Sequence, residues 1–190
     1  MTLNGLLSEK RTEIIRKWVD AVLATYPADT SNFLKKQENR FSNPVGHTVN
    51  QGIEGIYDEL LKGADPEAVG PLLDGIVRVR AVQDFSASSA VSFVFLLKPI
   101  IRDELASAGG NDILYGELLQ FESRIDDLAL LSFDIFMKCK EKLYDIRANE
   151  MKNMTYRLIQ RANKLDGARE EKEDFDSGSN DNSQTKEVTK

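Results

Sequence analysis

The sequence is poor in the side chains that hold metals and carry electrons: one cysteine, Cys139, and one histidine, His47, among 190 residues. A single thiol excludes an intramolecular disulfide framework and a cysteine-built zinc site. A single imidazole excludes every two-histidine metal site. It leaves His47 as a lone axial haem ligand, a pH-sensitive group, or a polar residue near a helix start. An excess of positive charge is missing too. Against 25 basic residues stand 31 acidic ones, a net of −6, the wrong balance for non-specific nucleic-acid binding. Neither GADPEAVG nor GGND has the context of a phosphate-cradling loop, and HExxH, GxSxG and calcium-loop patterns do not occur. The adjacent acids Asp126-Asp127 and Asp58-Glu59 point apart on a helix, so neither makes a proton-sharing dyad. The expectation is a protein that is not an enzyme, with no cofactor, no metal and no nucleic-acid partner.

Long apolar runs are lacking as well. The longest, AVSFVFLLKPII over 90–101, is interrupted by Lys98 and falls short of the ~20 residues of a membrane span. At the start, Glu9, Lys10, Arg11 and Glu13 occupy the place where a secretory signal needs apolar residues. A cytoplasmic protein without direct membrane insertion is expected, and one unpaired thiol suits a reducing compartment.

What the sequence does have is helical periodicity. Leu7, Ile14, Ile15, Trp18, Val22 and Tyr26 recur at helical spacing over 3–26, and Pro27 stops them. A short helix is expected over 29–41, before Asn43-Pro44 breaks the chain. Val49, Ile53, Ile56, Tyr57, Leu60 and Leu61 mark another helix, closed by Gly63. Asp65-Pro66 reads as N-cap and N1, with Pro71 restarting the helix that carries Leu72, Leu73, Ile76, Val77 and Val79. Residues 87–107 are apolar on nearly every face, the mark of a central helix, and Pro99 should kink it. From Asp112 to Leu165 no proline occurs, and Leu114, Leu118, Phe121, Ile125, Leu128, Ser132, Ile135 and Cys139 form a heptad seam. A poorer seam follows at Met151, Met154, Leu158, Arg161 and Leu165. No convincing strand appears, so the fold class is all-α, a helical bundle with a long C-terminal helix.

The organisation expected is a helical sensory or regulatory domain over 1–145, a projecting helix open to coiled-coil pairing over 146–167, and a disordered acidic tail over 168–190. The tail holds seven acidic and four basic residues, a net of −3, with too little apolar surface to offset its ordering entropy. Within the domain, Arg78 and Arg80 are two residues apart on a helix and must face different ways. One of them can turn inward, beside Gln83 and the serines that open the next helix. Arg78, Arg80, Gln83 and Asp84 are therefore candidates for a ligand or partner site, with His47 a separate one. The i,i+4 pairs Asp74–Arg78 and Arg80–Asp84 offer the alternative of ordinary helix-surface ion pairs.

The strings NPVGHTVNQGIEGIYDELLKG and LDGIVRVRAVQDFSASSAVSFVFLLKPIIRDEL resemble the N-terminal domain of RsbT co-antagonist proteins of the RsbRD type, bacterial stressosome-type sensors. The resemblance spans roughly residues 10–145. Its clearest motif is R-x-R-A-V-Q-D-F-S, and Ala87 stands where the family often has proline. It implies a globin-like, haem-independent sensory domain in signal transduction that commonly forms a homodimer. Relatives continue into a phosphorylated STAS domain, for which the polar residues after the long helix leave too little length. The expected function is thus a non-catalytic regulatory domain acting by dimerisation and by binding a protein partner of a signalling complex. Alternatives are an accessory protein of a membrane redox complex in sulfur respiration, and a haem or small-molecule sensor using His47.

Overall fold

The computed structural model describes residues 2–36, 43–83, 85–109 and 112–178, and every regular element among them is an α-helix. In chain order these are α1 (Leu3–Glu9), α2 (Arg11–Leu23), α3 (Ala28–Lys36), α4 (Pro44–Lys62), α5 (Pro66–Val82), α6 (Ala87–Phe95), α7 (Leu97–Ser107) and α8 (Asp112–Gly178). The chain divides into two units, Met1–Lys142 and Leu143–Lys190.

The helix starts are written locally. The Thr2, Asn43, Asp65 and Ser86 side chains accept hydrogen bonds from the backbone N–H of Gly5, Gly46, Glu67 and Ser89, and Pro44 and Pro66 follow their caps directly. Gly63 closes α4 with a φ of 126°, a conformation that glycine adopts without steric cost.

Several elements differ from the periodicity. The helix expected over 3–26 divides at Lys10, which ends α1 and begins α2. The break lets both Leu3, Leu6 and Leu7 and the later stripe of Ile14, Ile15 and Trp18 reach one core. Pro71 lies within α5 rather than restarting it. The carbonyl deprived of a donor belongs to exposed Glu67 in the first turn, where solvent has access to it. The single kinked helix expected over 87–107 is two helices meeting at Leu96. Pro99 cannot donate to the Phe95 carbonyl and its ring crowds that group, so the chain breaks there. The helix α8 is assigned as far as Gly178, past Ala168, where composition suggested disorder. Ala, Arg, Glu and Lys dominate 168–173 and are strong helix formers. Part of the expected 29–41 helix, 37–42, lies outside the described residues.

In the first unit, Trp18, Tyr57, Phe93 and Phe121 fill the interior. Their polar atoms bridge helices. Trp18 Nε1 donates to the Phe93 carbonyl at 2.7 Å, and the Tyr57 hydroxyl donates to the Leu7 carbonyl at 2.9 Å. Burial pushes the Tyr57 phenol well above its ordinary pKa. The first heptad seam faces this core: Leu114, Leu118, Phe121, Ile125, Leu128 and Ser132 are buried, and Ile135 and Cys139 pack at its edge. The polar member, Ser132, returns its hydroxyl to the Leu128 carbonyl at 2.7 Å.

Around the core, ion pairs tie α2 to α4 (Arg11 to Asp58, 2.8 and 2.9 Å) and α7 to α8 (Arg102 to Glu122, 2.6 and 2.7 Å). Both are two-pronged, the geometry in which arginine holds a carboxylate best. Each partner favours the charged state of the other, so the Arg11 pKa is raised and that of Asp58 lowered.

Helices α4 and α5 pack closely because two glycines lie between them. A Cβ on Gly52 would sit 2.8 Å from Ile76 Cδ1, and one on Gly55 would sit 2.8 Å from Leu72 Cδ1. Gly70 of α5, by contrast, has open space where a side chain would be. Gly52→Val is therefore expected to destabilise the domain by about 1–3 kcal/mol through overpacking. Gly70→Ala should be neutral or stabilising by up to ~1 kcal/mol. Urea denaturation of the two variants checks the contrast; equal midpoints would refute the close-packing account.

Candidate functional site

Arg80 is fully buried, with 0% of its surface exposed, and comes from the last turn of α5. Its guanidinium points back to the end of α2 and the start of α6. Nη2 donates to Thr25 Oγ1 at 2.9 Å and to the Val22 carbonyl at 3.4 Å, and Nη1 donates to the Ser89 carbonyl at 3.1 Å. Three aromatic rings surround it, with the Tyr26, Phe85 and Phe93 centroids at 5.2, 5.1 and 5.1 Å from Cζ. Tyr26 and Phe85 meet edge to face at 5.3 Å. Among the described residues no carboxylate pairs with Arg80.

The charge is held by dipoles and ring faces instead. At the end of α2 the Val22 carbonyl accepts from the Thr25 N–H at 3.1 Å and the Thr25 hydroxyl at 2.6 Å, and α2 has no basic residue in its own last turn. Arg80 supplies that cation from another helix. Burial lowers the Arg80 pKa, and the nearby Tyr26 phenol opposes the shift. Arg80 Nε and the Tyr26 hydroxyl lack partners at hydrogen-bond geometry, so the cluster is polar but not saturated.

The other candidates from the sequence lie elsewhere. Arg78 faces solvent and pairs with Asp74 at 2.7 Å. Gln83 is the exposed C-cap of α5, and Asp84 lies outside the described residues. His47 is half-buried on the first turns of α4 and lines an open groove of about 620 Å³ between α2 and α4. The groove has Ile15 and Val19 among its apolar members and Arg11, Arg16, Asp20 and Glu54 among its charged ones. The structure thus brings Arg80 together with Thr25, Tyr26, Phe85 and Ser89, and keeps Arg78, Gln83 and His47 out of that cluster. The ring partners Tyr26 and Phe85 were not anticipated. Their signal is the interruption of two helices immediately after polar residues, at Tyr26-Pro27 and at Phe85-Ser86.

Cys139, half-buried beside the core, has its thiol pushed above the ordinary range by burial and by Asp74, the opposite of a reactive thiolate. Among the described residues no three or more His, Cys, Asp or Glu gather as metal ligands.

A second surface was read in the sequence only in part, at Met151, Met154 and Leu158 of the poorer seam. In the first unit α8 exposes Tyr115, Leu119, Leu130, Phe133 and Met137 on the side away from the core. In the second unit it exposes Tyr144, Met151, Met154 and Leu158. The available signal was a second heptad spacing, offset from the first.

Fold and surfaces together define an all-helical domain whose large exposed apolar side chains are concentrated on its long C-terminal helix. Residues 12–151 match the model of the RsbT co-antagonist protein rsbRD N-terminal domain, and the chain belongs to this family. It is also 23% identical over 146 residues to an uncharacterized protein of Archaeoglobus fulgidus, a match covering 74% of this chain and 83% of that protein. No solved structure matches. No described helix is long and apolar enough to cross a membrane.

The Arg80 cluster makes a sharp contrast with Arg78. Arg80→Ala removes three hydrogen bonds and leaves a cavity among aromatic rings, and is expected to cost about 3–5 kcal/mol of stability. Arg78→Ala removes one exposed i,i+4 pair and should stay within about 0.5 kcal/mol. Thermal or urea unfolding of both variants tests this, and similar stabilities would show that Arg80 does not organise the helix ends.

Proposed function

We propose that the chain is a non-catalytic regulatory or sensory domain that works as a homodimer through the outward face of its long helix and engages a protein partner. The observation that carries this reading is the set of exposed apolar residues on α8. Tyr144, Met151, Met154 and Leu158 are between 61% and 70% exposed. Single exposed apolar residues are ordinary, but a recurring line of them on one helix marks an interaction face. Membership of the rsbRD N-terminal family supports a regulatory rather than a catalytic role. The candidate side chains point the same way, since Arg80 is used up in packing and no nucleophile–base pair adjoins it. A reducing, cytoplasmic setting accords with the single thiol.

The His47 groove supports a second reading, in which a small polar molecule binds between α2 and α4. A haem would need apolar walls over both faces, and this groove is open and rimmed by charge.

Light scattering on the full chain at high micromolar concentration is expected to give twice the 21.4 kDa chain mass. Leu158→Glu should weaken association more than tenfold, because it exchanges about 2 kcal/mol of apolar burial for a desolvated charge. A wild-type monomer would sink the dimer. For the groove, haem added to the purified protein should give no Soret band that disappears in His47→Ala. Such a band would restore axial ligation.

A further inference from the structure

We infer that α8 of the second unit pairs with the same segment of a second copy in the antiparallel direction, with Met151 level with Met154 of the other chain. This rests on the homodimer proposed above and adds its geometry. The whole segment 144–164 is exposed, and within it Tyr144, Met151 and Leu158 hold position a of one heptad while Arg147, Met154 and Arg161 hold position d; Ile146, Tyr156 and Ile159 lie off that seam. Glu150 and Arg157 hold the flanking position g. All of these residues are exposed within their own chain.

A parallel, in-register pair would set Arg147 against Arg147 and Arg161 against Arg161, two d layers of facing like charge on either side of the apolar layers Met151, Met154 and Leu158. Its flanking contacts would bring Glu150 to Thr155 and Arg157 to Ala162, neither of which is an ion pair. Reversing one strand changes every layer. With Met151 opposite Met154, Arg147 comes opposite Leu158, and Arg161 comes opposite Tyr144, where a guanidinium lies favourably over a phenol ring. Glu150 then flanks Arg157 of the second copy, and two-fold symmetry supplies that pair twice. The long arginine stems cover the apolar a residues while their charged ends reach water. The same side chains thus repel in one direction and complement in the other, and charge pattern sets strand orientation in helix pairs.

Spin labels read the direction. In a Cys139→Ala background, labels at Asn149→Cys and, separately, at Asn163→Cys occupy equivalent outer positions of the heptad. Antiparallel pairing about the midpoint between 152 and 153 gives axial separations of about 10 Å at 149 and about 30 Å at 163. The dipolar distance at 163 is therefore expected to exceed that at 149 by at least ~10 Å. Equal distances at the two sites, or no dipolar coupling in a protein that scatters as a dimer, overturn the antiparallel register and leave dimerisation standing. A monomer by scattering overturns both. Circular dichroism of each labelled protein confirms that the exposed substitutions leave the helix intact.

Discussion

A positive charge removed from water must be met by carboxylates or by dipoles, and in this domain the charge of Arg80 is met by dipoles. Its guanidinium donates to the Val22 carbonyl and Thr25 hydroxyl at the end of α2 and to the Ser89 carbonyl at the start of α6, under the faces of three rings. Three helices are thereby located by one side chain. Helix α2 lacks a basic residue of its own at its C-terminus, so Arg80 brings a cation to a helix end whose Val22 carbonyl already accepts from Thr25. Trp18 extends the same joint one turn earlier, donating from α2 to the Phe93 carbonyl of α6. The remaining contacts, including the close α4–α5 approach at Gly52 and Gly55, build outward from this fixed corner.

That corner was half legible in the sequence. Arg78 and Arg80 had to diverge, since residues two apart on a helix face different ways. Which one turns inward is decided by tertiary surroundings: Val77 and Ala81 beside Arg80 are fully buried, whereas Arg78 finds Asp74 at the surface. The ring partners come from segments far apart in sequence, and periodicity carries no information about such meetings. Helix caps fared better because their chemistry is local: Asp65 and Ser86 cap the helices that their side chains suggest, and Asn43, legible only as a break before proline, caps α4. Proline was ambiguous for a physical reason. At Pro71 the freed carbonyl belongs to exposed Glu67 and the helix continues. At Pro99 the crowded Phe95 carbonyl falls in the middle of an apolar stretch and the helix divides.

The long helix shows why a heptad alone does not declare its partner. The stronger seam, Leu114 to Cys139, meets the core of its own unit, and knobs that fill holes between α-helices have the same spacing within a chain as between chains. The seam available to another molecule is the weaker one, with arginines at every second d position in the second unit. Those arginines make the surface tolerable to water. They also make it selective, because they disfavour a parallel copy of themselves.

This division of roles bears on how a domain of this kind can respond to a signal. The interior of the first unit is filled by Trp18, Tyr57, Phe93 and Phe121, and close-packed interiors admit a ligand only by rearranging. Most of its polar groups are committed as well, Arg80 Nη1 and Nη2 to helix ends, Glu122 to Arg102 and Glu104 to Lys17, while Arg80 Nε and the Tyr26 hydroxyl remain without partners. What stays adjustable is at the surface, in the open groove of His47 and in the outer face of α8. A partner or ligand shifts an equilibrium only by its difference in affinity between two states. A paired and an unpaired helix differ by a whole apolar stripe, whereas the core residues are already buried in the single chain. The association through α8 proposed above would therefore be the step that modest binding energy could most readily change.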